Sequence, residues 1–340
     1  MSRKATIKDV AGAAGVSVAA VSRYLNGSIR LPPATTKRID LAVAALRYVP
    51  NPLARSLSRG RSDTIGLVVP EISNPFFAGL AAAVETVAAE HGLGVLLCVT
   101  LNRVDRELDY IRRLEHRQVD GLLFATNHPD DGTLLSALAD LPGIVLVDED
   151  IAGAEVSGVF AENTLGAYNA ARHILEAGHR RIAMLSGPPG LLTAEERRQG
   201  FMQAVTEAGA QALSVVEGAY TREAGEAATE RLLAEHPETT AIFTGSDEIF
   251  LGMLQSFRRR GIRIGTDISV ITCDDVEPLG LFDPPITALR QDLGLLAREA
   301  LRLVMQEIAD GAGEARRVRV PMELQVRQSV LPPRRRVKLG

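Results

Sequence analysis

The sequence predicts an all-α headpiece of three helices containing a helix-turn-helix, joined to an α/β domain of two lobes with parallel sheets. Three observations carry that expectation. At 340 residues the chain is too long for one ordinary core and suits one small module plus a larger domain. Charge divides sharply along it: residues 1–60 hold ten Lys or Arg against Asp9 and Asp40, a net +8, so an overall charge of −4 leaves −12 on the other 280 residues. From Asp63 onward, short apolar runs alternate with helical stretches, and the cycle restarts once near Arg181.

In the first module, Thr6 is the expected N-cap of a helix from Ile7 to about Ala14. Ile7, Val10, Ala11 and Ala14 there share one face at the i, i+3, i+4, i+7 spacing. Gly15 permits a tight turn, and Ser17 caps a second helix, Val18 to Leu25. Val21 and Leu25 of that helix face inward, and Val18, Ala19, Ser22 and Arg23 face outward. A third helix after Pro33 closes the core with Ile39, Ala42, Val43 and Leu46. A basic module of this size on an acidic body is the electrostatic footprint of nucleic-acid binding, because neutralising phosphates releases condensed counterions.

Between Tyr48 and Gly60, Asn51 is a cap, Pro52 suits a first helical position, and only about two turns can follow. So short a helix is unstable alone in water, since nucleation is costly. It forms only when something else holds it, which makes it a candidate switch; a plain linker is the simpler alternative.

In the larger domain the apolar runs are TIGLVV, GVLLCV, GLLFA and GIVLV, then RIAMLSG, LSVVEG, AIFTG, ISVITC and TALRQD. Ligands of open parallel sheets bind beyond the carboxyl ends of the strands. The residues at those ends are polar or aromatic: Asn74, Phe76 and Phe77, then Asp148, Arg197, Ser246 with Asp247, and Asp274 with Asp275. Carboxylates, an arginine and rings converging on one cleft suit a sugar, with hydrogen bonds to hydroxyls and ring faces on its C–H surface.

Other classes find little support. Cys98 and Cys273 lie in apolar runs and read as buried small hydrophobes in a reducing cytoplasm. The N-terminus lacks a signal-peptide core and no apolar run spans a bilayer, so neither export nor membrane insertion is expected. No nucleotide-loop, zinc-protease or nucleophile-elbow motif occurs, and the six histidines, among them His173 and His179, have no metal-ligand spacing. His173 and His179 read as surface or capping residues.

TIKDVAGAAGVSVAAVSRYLNGS and YVPNPLARSL resemble the headpiece and hinge of LacI/GalR transcriptional regulators. NPFF (74–77), GHRRIAMLSGP (178–188), RRQGF (197–201), SDEIFLGML (246–254), DISVITCDD (267–275) and TALRQD (287–292) match that family's effector domain in order. The resemblance implies a DNA-binding domain at 1–50, a hinge helix and linker at 51–61, and a two-lobed, periplasmic-binding-protein-like effector and dimerisation domain at 62–340. Its first lobe would comprise about 62–161 and 290–320, its second about 162–289 and 321–340.

Residue by residue, the resemblance assigns Thr6, Lys8, Ser17, Val18, Ala19, Ser22, Arg23, Asn26 and Arg30 to the DNA surface. Arg23 suits a bidentate contact to guanine, and Val18 and Ala19 suit a thymine methyl. Asn51, Ala54 and Leu57 would enter the minor groove, with Leu57 as an apolar wedge. The implied effector residues are Phe76, Phe77, Asp148, Phe160, Arg197, Tyr220, Ser246, Asp274 and Gln291. Ser246 and Cys273 depart from the family's usual Asn and aromatic, and Ala20 from its frequent Thr.

The resemblance therefore implies a non-enzymatic repressor of carbohydrate genes that binds a pseudo-palindromic operator as a homodimer. A sugar, sugar acid or sugar phosphate would control it, with no cofactor, no metal and no membrane partner. No heptad repeat follows Pro332, so a dimer is expected. The alternatives are a two-lobed sugar receptor and a corepressor-dependent regulator sensing a non-sugar metabolite.

Overall fold

The computed structural model describes residues 5–49, 61–139, 141–311 and 313–334. It divides into two compact units, Met1–Asp63 and Thr64–Gly340. In the first, α1 (Ile7–Ala14), α2 (Val18–Leu25) and α3 (Pro33–Leu46) surround a core of Val10, Ala11, Ala14, Val21, Ile39 and Ala42. Thr6 starts α1 through a capping box: its hydroxyl accepts from the Asp9 amide, and the Asp9 carboxylate accepts from the Thr6 amide at 2.8 Å. Gly15 ends α1 at φ 62°, a conformation cheap only for glycine. Leu46, expected in this core, is 36% exposed. The chain reverses at Arg47 in a left-handed conformation, and Tyr48, its amide bonded to the Val43 carbonyl, packs against the core instead.

The larger unit contains two six-stranded sheets. The first has order β2-β1-β3-β4-β5-β11, all parallel, from β1 (Thr64–Val69), β2 (Gly94–Val99), β3 (Gly121–Phe124), β4 (Ile144–Val147), β5 (Ser157–Ala161) and β11 (Arg317–Val320). The second has order β7-β6-β8-β9-β10-β12, from β6 (Arg181–Ser186), β7 (Gln211–Glu217), β8 (Ala241–Thr244), β9 (Ser269–Cys273), β10 (Thr287–Gln291) and β12 (Met322–Gln325). Only β12 runs antiparallel to its neighbour there. Fully buried runs such as IVLV and AIFT follow from helices covering both faces of each sheet.

In the first lobe those helices are α4 (Pro75–Glu90), α5 (Val104–Glu115), α6 (Thr133–Leu138) and α11 (Leu293–Asp310). In the second they are α7 (Asn163–Glu176), α8 (Leu192–Glu207), α9 (Arg222–Glu235) and α10 (Asp247–Arg260).

The chain passes between the lobes after β5, after β10 and between β11 and β12. The second crossing lies later than expected, because Arg290 and Gln291 still pair with β12 in the second sheet. β5, β11 and β12 were not singled out in the sequence.

His179, read as a surface or capping residue, is buried at the amino end of the second sheet. Its Nε2 lies 2.8 Å from the Leu331 carbonyl and its Nδ1 3.0 Å from Thr240 Oγ1. Burial lowers its pKa against the opposing pull of that carbonyl, which keeps the ring neutral near pH 7. The chain that covers it arrives some 150 residues later, beyond the reach of local pattern.

Candidate nucleic-acid interface and effector cleft

In the first unit Val21 is the one fully buried side chain of α2, so the rest of that helix is available as a surface. Thr6, Lys8, Ser17, Val18, Ala19, Arg23 and Arg30 are exposed, and Ser22 and Asn26 are half-buried. The Ser17 hydroxyl is committed to capping, accepting from the Ala20 amide at 3.2 Å. Arg23 Nε donates to the Ala19 carbonyl at 3.3 Å, which lays the guanidinium along the helix. Asn26 Nδ2 lies 3.5 Å from Ser22 Oγ. The surface thus carries two apolar contacts, one fork of donors and short hydroxyls, the groups that read base edges and phosphates. Asn51, Ala54 and Leu57 lie outside the described residues.

The second site is the cleft between the lobes. Asn74, Phe76, Phe77, Asn127 and Asp148 of the first lobe face Thr193, Arg197, Tyr220, Ser246, Asp247, Asp274 and Gln291 of the second. Eight of the nine expected residues are therefore together, and Asn74 and Asp247, noted at strand ends, join them. Their backbones explain why: Asn74 caps α4 and Ser246 caps α10, while Asp148 (φ 70°) and Asp274 (φ 63°) turn the chain sharply just past β4 and β9. The space these side chains leave is half open to solvent and measures about 30 Å³, room for a water molecule or two rather than a monosaccharide. An adjoining cavity of about 430 Å³ shares Phe76, Asp274 and Gln291 with it.

Arg197 is buried, donating from Nε to Asn163 Oδ1 at 2.8 Å and from a terminal nitrogen to the Gly245 carbonyl at 2.6 Å. Gln291 Nε2 donates to Asp274 Oδ1 at 2.8 Å. Three sealed oxygens have no partner: Asp148 Oδ1, Asp247 Oδ2 and Gln291 Oε1. Burial, helped by the Asp274 and Glu149 charges and opposed by Arg197, pushes the Asp148 carboxyl up to about 7. Burial with Asp274 and Glu248 does the same for Asp247, also to about 7. Burial likewise raises the Tyr220 hydroxyl and takes the Cys273 thiol to about 12, so both are neutral.

Phe160, expected in the cleft, does not line it. Its ring sits in the first lobe's core beneath Arg317 and Arg319, whose guanidinium carbons are 5.4 and 5.5 Å from its centroid. Gly158, two residues back on the same strand face, makes this possible: a Cβ there would lie 2.2 Å from the ring.

Asn127, Thr193 and Glu149 were missed. Asn127 follows β3 at a strand end, the signal that identified the others. Glu149 also follows a strand, β4, but its role, bridging the lobes, is not written in that position. Its carboxylate accepts from the Leu192 amide at 2.5 Å, the Thr193 amide at 3.3 Å and the Thr193 hydroxyl at 2.7 Å. No side chain of α8's own caps that helix, so the first lobe supplies its cap.

Residues 6–51 match the family model described as bacterial regulatory proteins, lacI family, and residues 62–328 the model for periplasmic binding proteins and sugar binding domain of LacI family. The chain is 34% identical over 330 residues to the HTH-type transcriptional repressor PurR of Photobacterium profundum, covering 96% of this chain and 98% of that one. It is similar to the Lac repressor dimer solved with operator and the anti-inducer ONPF, with a TM-score of 0.85, 26% identity and coverage of 97% and 100%. It is also similar to the transcriptional regulator CelR in complex with cellobiose, with a TM-score of 0.72, 32% identity and coverage of 96% and 99%. The fold described above, a three-helix headpiece followed by two lobes built on six-stranded sheets, is thus shared with both solved structures over nearly their full length. The chain belongs to the LacI family and is an effector-controlled, DNA-binding transcriptional repressor rather than an enzyme.

Proposed function

We propose that the repressor binds a pseudo-palindromic operator as a homodimer, with α2 in the major groove and residues 51–61 in the minor groove, and that a neutral sugar in the interlobe cleft sets its affinity. In this reading residues 1–50 bind DNA, 51–61 form the hinge, 62–340 bind effector and pair with a second copy, and the protein works in the cytoplasm on carbohydrate-metabolism genes. The Lac repressor's dimer on operator supports the assembly. So do the exposed apolar side chains Ile72, Leu97 and Leu101 in the first lobe and Leu281 in the second, which a second copy would cover.

The unpartnered acceptor oxygens of Asp148, Asp247 and Gln291 carry the ligand assignment. Buried polar groups are ordinarily paired, so these await donors, and a polyol supplies several at once. Phe76, Phe77 and Tyr220 line the same cleft, and aromatic rings suit the C–H surface of a sugar. Three aspartates against one arginine favour a neutral sugar over a sugar acid or phosphate. CelR's cellobiose supports the same class, and the adjoining cavity has space for a second ring.

Because the present cavity is too small for a sugar, binding requires the lobes to part or Phe76 and Tyr220 to turn. We assign the sugar the role of inducer: it redistributes the lobes, alters the spacing of paired hinges and weakens operator binding. Taking occupancy from nearly full to nearly empty requires a preference of roughly 5.5 kcal/mol for the weak-binding state. The test is operator binding by fluorescence anisotropy with cellobiose, ribose, a hexose phosphate and a nucleoside. Release by a neutral sugar supports the reading; response to the nucleoside alone, or tightening, replaces it with a corepressor sensing another metabolite.

A further inference from the structure

Arg319 lies on β11 of the first lobe, opposite Phe160 in the strand register, and its guanidinium, over the Phe160 ring, also reaches the second lobe. One terminal nitrogen meets Glu196 Oε2 at 2.7 Å and the other meets Oε1 at 2.6 Å, a bidentate pair with a carboxylate on α8 of the second lobe. The first nitrogen also donates to the Ala161 carbonyl at 3.1 Å, where the chain leaves β5 for the second lobe. Arg319 itself stands one residue short of the end of β11, where the chain crosses again. One side chain therefore joins two of the three crossings to α8, the helix that carries Arg197.

The contact extends inward. Asn163 is fully buried and its amide nitrogen faces Ala161 O at 3.2 Å and Glu196 Oε2 at 3.5 Å. That orientation turns Asn163 Oδ1 toward Arg197 Nε, 2.8 Å away. An amide has one acceptor end, so whatever holds its nitrogen toward Glu196 decides where the oxygen points. Both protein acceptors of Arg197, Asn163 Oδ1 and Gly245 O, are neutral, which leaves its charge directed to the cleft.

We propose that Arg319 is a positioning residue: through Glu196 and Asn163 it fixes the orientation of the cleft arginine and braces the two lobes at their crossings. This rests on the reading of Arg197 as an effector contact, but its test needs no effector. Arg319 and Glu196 are 38% and 17% exposed at the side chain, so the pair can be exchanged without opening a cavity.

The experiment is hydrogen exchange at the Arg197 Nε–H in the full-length protein, followed by NMR with 15N-arginine and assigned by loss of the signal in R197K. A buried, hydrogen-bonded Nε–H exchanges slowly. In R319M exchange should quicken by about tenfold or more, the fold-change for about 1.4 kcal/mol of lost protection, while the melting temperature moves little. R319K, which keeps a donor to Glu196 and to the Ala161 carbonyl, should recover part of the protection. E196Q, which keeps the shape of Glu196, should resemble R319M. Unchanged exchange in both R319M and E196Q overturns the proposal. So does R319K no more protected than R319M. Loss of protection only together with a collapsed melting temperature, without rescue by R319K, also overturns it. If no sugar proves to bind, these outcomes keep their meaning.

Discussion

Replacing Asp148 with Asn should stabilise the ligand-free protein at pH 8 and have much less effect at pH 5. Asp148 titrates at about 7 in the fold against an ordinary 3.8, mainly because burial disfavours its charged form. The native state therefore holds the proton more tightly than the unfolded chain. Stability falls as pH rises from about 4 to about 7 and is level above, where both states are ionised. At 1.36 kcal/mol per unit, the displacement corresponds to about 4 kcal/mol at pH 8, an upper figure because the lobes can relax. In a unit of this size that is about 8 °C in melting temperature. Asn cannot ionise, and any effect of its backbone preference at this positive φ is common to every pH, so the diagnostic quantity is the pH dependence of the difference. Scanning calorimetry of both proteins from pH 5 to pH 8 measures it. A difference independent of pH would show that this sealed carboxyl, with one oxygen unpartnered, does not sit in the cleft at a cost to the fold.

The same carboxyl predicts how ligand binding depends on pH: a sugar donating hydroxyls to ionised Asp148 releases a proton, so affinity should rise about tenfold between pH 6 and pH 8 by calorimetry, and D148N should flatten that slope. Ile39→Ala removes the fully buried centre of a small headpiece core at a cost of about 2–5 kcal/mol, so operator binding should vanish while ligand-induced thermal shifts of the larger unit persist. Arg23→Met should cost about 1–3 kcal/mol of operator affinity and relax preference at one base pair, read by binding to a library of single-base operator variants. Glu149→Ala removes the cap that the first lobe lends to α8 and should destabilise the larger unit by about 1 kcal/mol, with faster amide exchange at Leu192 and Thr193.

The cleft was legible because a parallel sheet brings the carboxyl ends of its strands to one edge. Asn74, Asp148, Ser246 and Asp274 could thus be found by reading the first few residues past each apolar run. The headpiece helices were legible for a local reason: Thr6, Gly15 and Ser17 write their ends into the sequence. What escaped depends on contacts between distant segments. Phe160 obeys the strand pattern, yet the direction of its ring is decided by the missing Cβ of Gly158 and by two arginines on β11. His179 precedes a strand like any loop residue and is buried only because Leu331 returns over it. Glu149 caps a helix 43 residues away in the other lobe, which no spacing rule anticipates. Leu46 fits the helical period but falls on the last turn, where Tyr48 takes the place intended for it.

Whether a cleft ligand governs the grip of the headpiece on DNA is tested by anisotropy of a labelled palindromic operator selected from random duplexes, titrated with cellobiose in wild type and in Arg197→Met. Both proteins should bind in a sequence-specific way, with at least tenfold weakening by the sugar in wild type and no weakening in the variant, since Arg197 lies in the cleft and not in the DNA-binding unit. Specific binding that the sugar weakens equally in both proteins, or no preference for any duplex over random sequence, would contradict that control.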